Sequence, residues 1–304
     1  MNEEIKNFIQ SIDQIIVGKT ESIKLSLACF FARGHLLIED HPGVGKTTLA
    51  KAIAKGLGLP MSRIQLTNDL MPADLVGLNI FDQKKSEYHF LPGPLFSEII
   101  LADELNRASP RTQSALLQAM EERQITIEGK THTLPENFFV IATQNPKGQI
   151  GTFPLPESQL DRFMMRLQLG HPEQSFEMNL LQGNNRATMI EKMSPLLDHK
   201  KIKTIKEKIS QIHLSPAIAG HIVLILKTSR SETNYAPLSS RAGIDLAKAA
   251  KAWAYFERRD FVLPDDIQYL APFVLGHRLH PLGQRPVLEG QRLSQQLLAT
   301  LEIV

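Results

Sequence analysis

An apolar run that ends in a glycine-rich turn and a lysine constrains this chain more than any other feature. His35-Leu36-Leu37-Ile38-Glu39 reads as a short buried parallel strand. Gly43-Val44-Gly45-Lys46-Thr47-Thr48 follows it, and a helix is expected from Thr48 to Leu57, stopped by Gly58 and Pro60. Strand, glycine-rich loop and helix in that order are the context a phosphate-binding loop requires. Glycine lets backbone N–H groups approach phosphate oxygens without a Cβ in the way, and a helix N-terminus favours the negative charge. Pro42, Gly43, Val44, Gly45, Lys46, Thr47 and Thr48 are therefore expected to hold the phosphates of a nucleotide. Lys46 would reach the β- and γ-phosphates, and the Thr47 hydroxyl would hold Mg²⁺. The generic motif has glycine at position 40, where this chain has Asp40, and His41 follows.

Such a loop needs a sheet around it. Arg63-Ile64-Gln65-Leu66, Ile99-Ile100-Leu101-Ala102, Phe138-Phe139-Val140-Ile141-Ala142 and the weaker Met165-Arg166-Leu167-Gln168-Leu169 read as further strands. A helix from Pro110 to Arg123 separates two of them, with Ser109 as N-cap. Residues 1–33 read as two helices around Val17-Gly18-Lys19. The alternation implies an α/β core with a parallel five-stranded sheet. Two hairpins interrupt it, Leu78–Phe81 with Glu87–Phe90, and Gln124–Ile127 with Thr131–Leu134 around Glu128-Gly129-Lys130. Beyond about residue 171 strands cease, and helical patterns fill 173–182, 201–213, 216–229, 240–257 and 264–275. With 304 residues, two domains are expected, a nucleotide-binding core over 1–171 and an all-helical lid domain over 172–304.

Two further segments supply chemistry. The strand ending in Asp103-Glu104 gives two carboxylates. Asp103 would be held rigidly beside Thr47 to organise the magnesium shell. Glu104, one residue on, would polarise an attacking water. Asn145, just past the next strand in Ala142-Thr143-Gln144-Asn145-Pro146, would put an amide between the γ-phosphate and that water.

Taken together, Glu39-Asp40-His41-Pro42-Gly43-Val44-Gly45-Lys46-Thr47, Ala102-Asp103-Glu104-Leu105-Asn106-Arg107-Ala108, Gln113 to Glu122, Ala142 to Pro146, Leu155 to Phe163 and Ser240-Arg241-Ala242 resemble the MoxR family of AAA+ ATPases. The resemblance covers nearly the whole chain. It accounts for position 40, because the family is similar to Glu-Asp-x-Pro-Gly there. It implies ATP hydrolysis to ADP and phosphate in a homo-oligomeric ring, usually a hexamer, with nucleotide between subunits. It also implies that Arg162 is the arginine finger, that Arg241 is the sensor 2 residue, and that Val17 and Gly18 border the adenine. Arg107 matches the family motif, as a subunit-interface residue or a structural ion pair. The two hairpins match the family's helix-2 and pre-sensor-1 inserts. Tyr88, His89 and Phe90 are either substrate contacts or hairpin packing. Chaperone-like remodelling of partner protein complexes is implied, with a von Willebrand factor A domain protein as a possible partner.

A nucleic-acid motor and an ATP-gated binding switch with little turnover are the alternatives. A net charge of +2 gives no reason to expect nucleic acid. The densest basic run, Lys200, Lys201, Lys203, Lys206 and Lys208, reads as a solvated helix face. Cys29 is the single cysteine, so no intrachain disulfide can form. The start lacks the basic-then-apolar form of a signal peptide, and no apolar stretch reaches membrane-spanning length, so a cytoplasmic location is expected.

Overall fold

The computed structural model describes residues 1–145, 151–170, 186–231, 236–280 and 290–301. The helix expected over 173–182 lies outside the described residues. Along the first half run α1 (Glu3–Asp13), α2 (Thr20–Phe31), β1 (Leu36–Glu39), α3 (Lys46–Leu57), β2 (Met61–Gln65), α4 (Pro72–Val76), β3 (Gly77–Asp82) and β4 (Glu87–Pro92). Then come β5 (Ile99–Asp103), α5 (Pro110–Glu122), β6 (Gln124–Ile127), β7 (Lys130–Thr133), β8 (Phe139–Gln144), α6 (Glu157–Leu160) and β9 (Met165–Leu167). The remainder is helical: α7 (Arg186–Lys192), α8 (His199–Gln211), α9 (Pro216–Ser231), α10 (Ser240–Phe256), α11 (Pro264–Leu275) and α12 (Gly290–Ala299).

Five parallel strands form the central sheet in the order β2-β5-β8-β1-β9. Side chains alternate between its faces, as strand geometry dictates. Leu36, Ile38, Ile99, Leu101, Phe139 and Ile141 enter one apolar cluster; Leu37, Ile100, Ala102, Val140 and Ala142 enter another on the opposite face. A parallel sheet buried on both faces needs such uniformly apolar strands. α5 covers the second face through Leu116, Leu117 and Met120. The first face carries α3 and a cluster that runs on through α1 and α2 into α8, α10 and α11, so the helical half shares its core with the sheet.

Local chemistry sets the element ends. Ser109 caps α5 by accepting from the Thr112 N–H. β6 and β7 pair through Ile127 and Lys130, leaving Glu128 (φ 47°) and Gly129 (φ 80°) as a two-residue turn with both residues left-handed. At the root of the β3–β4 hairpin, a Cβ on Gly77 would meet the Leu91 carbonyl at 2.3 Å, so only glycine allows the strands to close there. The basic run of α8 needs one correction. Lys200, Lys201, Lys203 and Lys208 are exposed, but Lys206 is buried. Its Nζ donates to Asn137 Oδ1 at 2.7 Å and lies 4.4 Å from the Phe30 ring centroid. Its place among Ile202, Ile205 and Ile209 on the buried face of α8 turns it inward. Burial there pulls its pKa down to about 7, with the charges of Arg33 and Arg123 adding to the effect.

Candidate functional site

The site lies where β1, β5 and β8 end together. Parallel strands in register bring their C-terminal ends to one edge, where an open α/β sheet binds its ligand. Glu39 sits opposite Gln144, one residue before Asn145, and Ala102 sits opposite Ala142, just before Asp103. β1 opens into the glycine loop, in which Gly43 (φ 86°) and Gly45 (φ 98°) are left-handed. α3 begins at Lys46 itself, two residues earlier than expected.

Lys46 is buried. Its ammonium donates to the Asp40 carbonyl, to Asn145 Oδ1 at 3.1 Å and to the Gln144 carbonyl at 3.4 Å. Burial lowers its pKa, and the negative charges of Asp40, Asp103, Glu104 and Glu39 oppose that shift. A desolvated cation at a helix N-terminus is a poor arrangement alone and a good one beside a phosphate. Asp40, where the generic motif has glycine, braces the loop. Its carboxylate accepts from the backbone N–H groups of His41 at 2.8 Å and Gly170 at 2.6 Å. Glu39 is paired with buried Arg166 at 3.2 Å.

The acids sit beside this cation. Thr47 Oγ1 donates to Asp103 Oδ2 at 3.4 Å. A hydroxyl and a carboxylate are the hard oxygen donors that Mg²⁺ takes, so Thr47 and Asp103 fit that ion. Thr143 Oγ1 donates to Asp103 Oδ1 at 3.1 Å and accepts the Glu104 N–H at 2.9 Å. In a continued strand Glu104 would point to the opposite face from Asp103. Instead its backbone turns left-handed (φ 58°, ψ 50°), a conformation that costs a residue with a Cβ about 1–2 kcal/mol. The turn brings Glu104 Oε1 to Asn145 Nδ2 at 3.1 Å. Asn145 thus accepts from Lys46 and donates to Glu104, which uses both ends of its amide. Asn106 Nδ2 approaches the Asn145 carbonyl at 3.5 Å. Lys46, Thr47, Asp103, Glu104 and Asn145 form one connected group.

Arg162 and Arg241 are not in that group. Both ion-pair with Glu121 at the end of α5, Arg162 at 3.0 Å and Arg241 at 2.5 Å. Arg107 pairs with Glu104 at 2.9 Å. Val17 and Gly18 (φ 75°) make the turn between α1 and α2. The next residue, Lys19, donates to the carbonyl of Leu169, whose neighbour Gly170 bonds Asp40. Of the three hairpin aromatics, Phe90 turns inward, with its ring centroid 4.3 Å from that of His132. Tyr88 stays 73% exposed beside its cross-strand partner Phe81. Asn79 Nδ2 donates to Glu128 Oε2 at 2.6 Å, so the two hairpins brace each other.

Sequence reasoning missed several contacts. Arg63 Nε donates to Asp103 Oδ2 at 2.8 Å, and Gln65 Nε2 to Glu104 Oε2 at 3.0 Å. Both come from β2, which pairs with β5 and sets Gln65 opposite Asp103. Alternation along β2 was the one available signal, since Arg63 and Gln65 share a face. Arg186, at the start of α7, reaches the loop: a Cβ on Gly45 would lie 3.5 Å from its guanidinium. No local pattern marks Arg186.

This is the geometry of a P-loop nucleotide site, and comparison with known proteins agrees. The sequence profile of the ATPase family associated with various cellular activities (AAA) matches residues 35–165, and that of the AAA lid domain matches residues 227–299. The chain is 41% identical to the uncharacterised protein YeaC of Bacillus subtilis, over 97% of this chain and 93% of that one. It is 32% identical to Chaperone MoxR1 of Mycobacterium tuberculosis, over 90% of this chain and 75% of that one. The crystal structure of a candidate ATPase from Cytophaga hutchinsonii superposes with a TM-score of 0.87 at 33% identity, covering 99% of this chain and 95% of that one. The chain belongs to the MoxR family of AAA+ ATPases.

Proposed function

We propose that this protein is an Mg²⁺-dependent ATPase that acts as a homo-oligomeric ring and remodels partner protein complexes. One observation carries the reading. Lys46, Thr47, Asp103, Glu104 and Asn145 are connected around one point, while Arg162 and Arg241 stand together elsewhere, on Glu121.

In this reading the loop from Pro42 to Thr48 and Lys46 bind the ATP phosphates, with Val17 and Gly18 bordering the adenine. Thr47 and Asp103 would hold Mg²⁺, which would supply positive charge to offset that of the phosphates. Glu104 accepts a proton from the attacking water, and Asn145 fixes that carboxylate. Asn145 links Glu104 to Lys46, so a phosphate that draws Lys46 away from Asn145 also alters the hold on Glu104. Arg162 and Arg241 serve the site of the adjoining subunit. Their shared place on Glu121 favours one joint role across the interface over separate roles in two sites.

Residues 1–171 are assigned to the nucleotide-binding core and 172–304 to the lid, whose movement against the core does the work. The name Chaperone MoxR1 belongs to a relative; a protein client for this chain is proposed on that kinship. A von Willebrand factor A domain protein remains a possible partner, and a cytoplasmic location is proposed. Among the described residues no helix is long and apolar enough to cross a membrane.

The test is phosphate release by wild type and Glu104→Gln. Wild type should turn over ATP. The variant should bind ATP while losing about 100-fold or more in rate, the usual worth of a positioned base. Equal slow turnover by both would favour the ATP-gated switch and sink the remodelling reading. The hydrolysis-blocked form, loaded with ATP, should hold its client for identification.

A further inference from the structure

Arg278 follows the end of α11 and is 4% exposed at its side chain. Its NH1 donates to the Val274 carbonyl at 2.8 Å, which ties the guanidinium to its own helix. Every other contact crosses to something else. Nε donates to Asp161 Oδ1 at 2.7 Å. NH2 lies within bonding distance of three oxygens: the carbonyls of Asp161 (2.9 Å) and Phe163 (3.0 Å), and Asp245 Oδ2 on α10 (2.6 Å).

The two carbonyls belong to the residues on either side of Arg162. A planar guanidinium that grips both fixes the backbone of the residue between them, because its donors form a rigid fork. Two more groups from the helical half hold the same turn. Ser239 Oγ, the N-cap of α10, reaches Asp161 Oδ1 at 3.1 Å and Oδ2 at 2.9 Å. His277 Nε2 meets the Phe163 carbonyl at 2.8 Å. Removing water from an arginine is costly unless its donors are satisfied. A simple fastening of lid to core would not need a buried charge placed so that it brackets one half-buried arginine.

We propose that Arg278 is a positioning residue for Arg162, clamping the Asp161–Phe163 turn so that the position of the lid helices sets the presentation of the Arg162 guanidinium to the adjoining subunit. The inference rests on the reading of Arg162 as the finger. Arg162 is joined to the lid at two points: through its backbone to Arg278, and through Glu121 to Arg241. A lid displacement carried by α10 and α11 therefore moves both arginines together.

The experiment is a double-mutant cycle on kcat in assembled rings, with Arg162→Ala, Arg278→Lys and the double variant. Lysine keeps the charge, but its single nitrogen cannot also replace the Nε bond to the Asp161 carboxylate and the NH1 bond to Val274 that fix the plane of the guanidinium against the turn. Arg278→Lys should lose at least about tenfold in kcat with KM and nucleotide affinity nearly unchanged, the pattern of an interaction made in the transition state. The double variant should turn over at the rate of Arg162→Ala alone. A double variant slower by the product of the two single losses overturns the proposal, as does an Arg278→Lys loss that appears in KM. Wild-type turnover by Arg162→Ala would instead sink the finger reading. An Arg278→Lys loss beside that wild-type rate would overturn the clamp as well, since it would then act through something else. If Arg278→Lys does not assemble, Ser239→Ala removes the other hold on Asp161 and leaves the buried charge pairs intact. The same cycle then decides, with the same outcomes.

Discussion

At the scale of single residues the site turns on Lys46. It is a buried cation whose partners are two carbonyls and one amide oxygen. Its lowered pKa shows that its surroundings do not fully replace lost hydration. In the proposed reading a phosphate supplies what is missing. Lys46→Ala should therefore weaken ATP binding by about 100-fold or more, equivalent to about 2.7 kcal/mol. The thermal stabilisation that ATP confers on the wild type should vanish in the variant; a shift of Tm as large as that of the wild type would remove Lys46 from the phosphate site. Lys46, Thr47, Asp103 and Glu104 were legible because their chemistry is encoded in a spacing of a few residues after an apolar strand. The bracing role of Asp40 was not: the resemblance accounts for an acid there, but its bond to Gly170, far along the chain, is written in no local pattern. Arg63 and Thr143 were invisible for the same reason, since each meets Asp103 only once the strands are ordered. Arg278, which bonds Asp161 far back along the chain, lies in a stretch whose sequence carries no motif.

At the scale of elements, the strands that flank the loop were readable from uniform apolar runs, and the hairpins from Glu128-Gly129 and the spacing around residues 82–86. The helices α7 and α12 were not expected: α7 buries no residue and α12 only a few, so neither writes a strong apolar stripe. His35, at the entrance to β1, shows how an element joint adds a property to the fold. Its Nδ1 accepts the Val140 N–H of β8 at 3.0 Å, and its Nε2 donates to the Met120 carbonyl of α5 at 3.2 Å. Burial, with help from the charge of Arg123, lowers its pKa from 6.5 to about 3. The unfolded chain then binds a proton that the folded chain refuses. Stability from this group is fully present above pH 6.5 and is lost as pH falls toward 3. Between about pH 7.5 and about pH 5 the loss from this one histidine is about 2 kcal/mol. Denaturant unfolding across that interval should show it, and His35→Gln, which keeps a donor and an acceptor but does not titrate, should have a shallower pH slope. An unchanged slope would mean that His35 is solvated in the folded protein.

At the scale of the whole molecule, two facts bear on assembly. The first is that one apolar cluster runs from α1 and α2 through the sheet into α8, α10 and α11, so the lid movement proposed above would be felt at the sheet edge, where α11 packs on β9. The second is that Arg162 and Arg241 are bonded to Glu121 rather than to the Lys46 group. In the proposed reading Lys46 meets the ground-state phosphates, Arg63 and Arg107 are paired with the acids Asp103 and Glu104, and neither Arg162 nor Arg241 reaches the site of its own subunit to meet the charge that develops as the γ-phosphoryl leaves. An arginine supplied at that moment is worth roughly 10³–10⁵ in rate in the GTPase analogue. The rate per subunit should therefore rise with protein concentration over the range in which rings form, and stay low in the monomer at saturating ATP. Arg162→Ala should flatten that dependence while keeping ATP affinity. Mixing Arg162→Ala with Lys46→Ala subunits should restore part of the activity, because a Lys46→Ala subunit still lends an intact Arg162 to a neighbour whose own loop is sound. Mixed rings that form and stay inactive at every ratio, or a wild-type rate per subunit that is independent of concentration well below assembly, would mean that each subunit carries its own complete site.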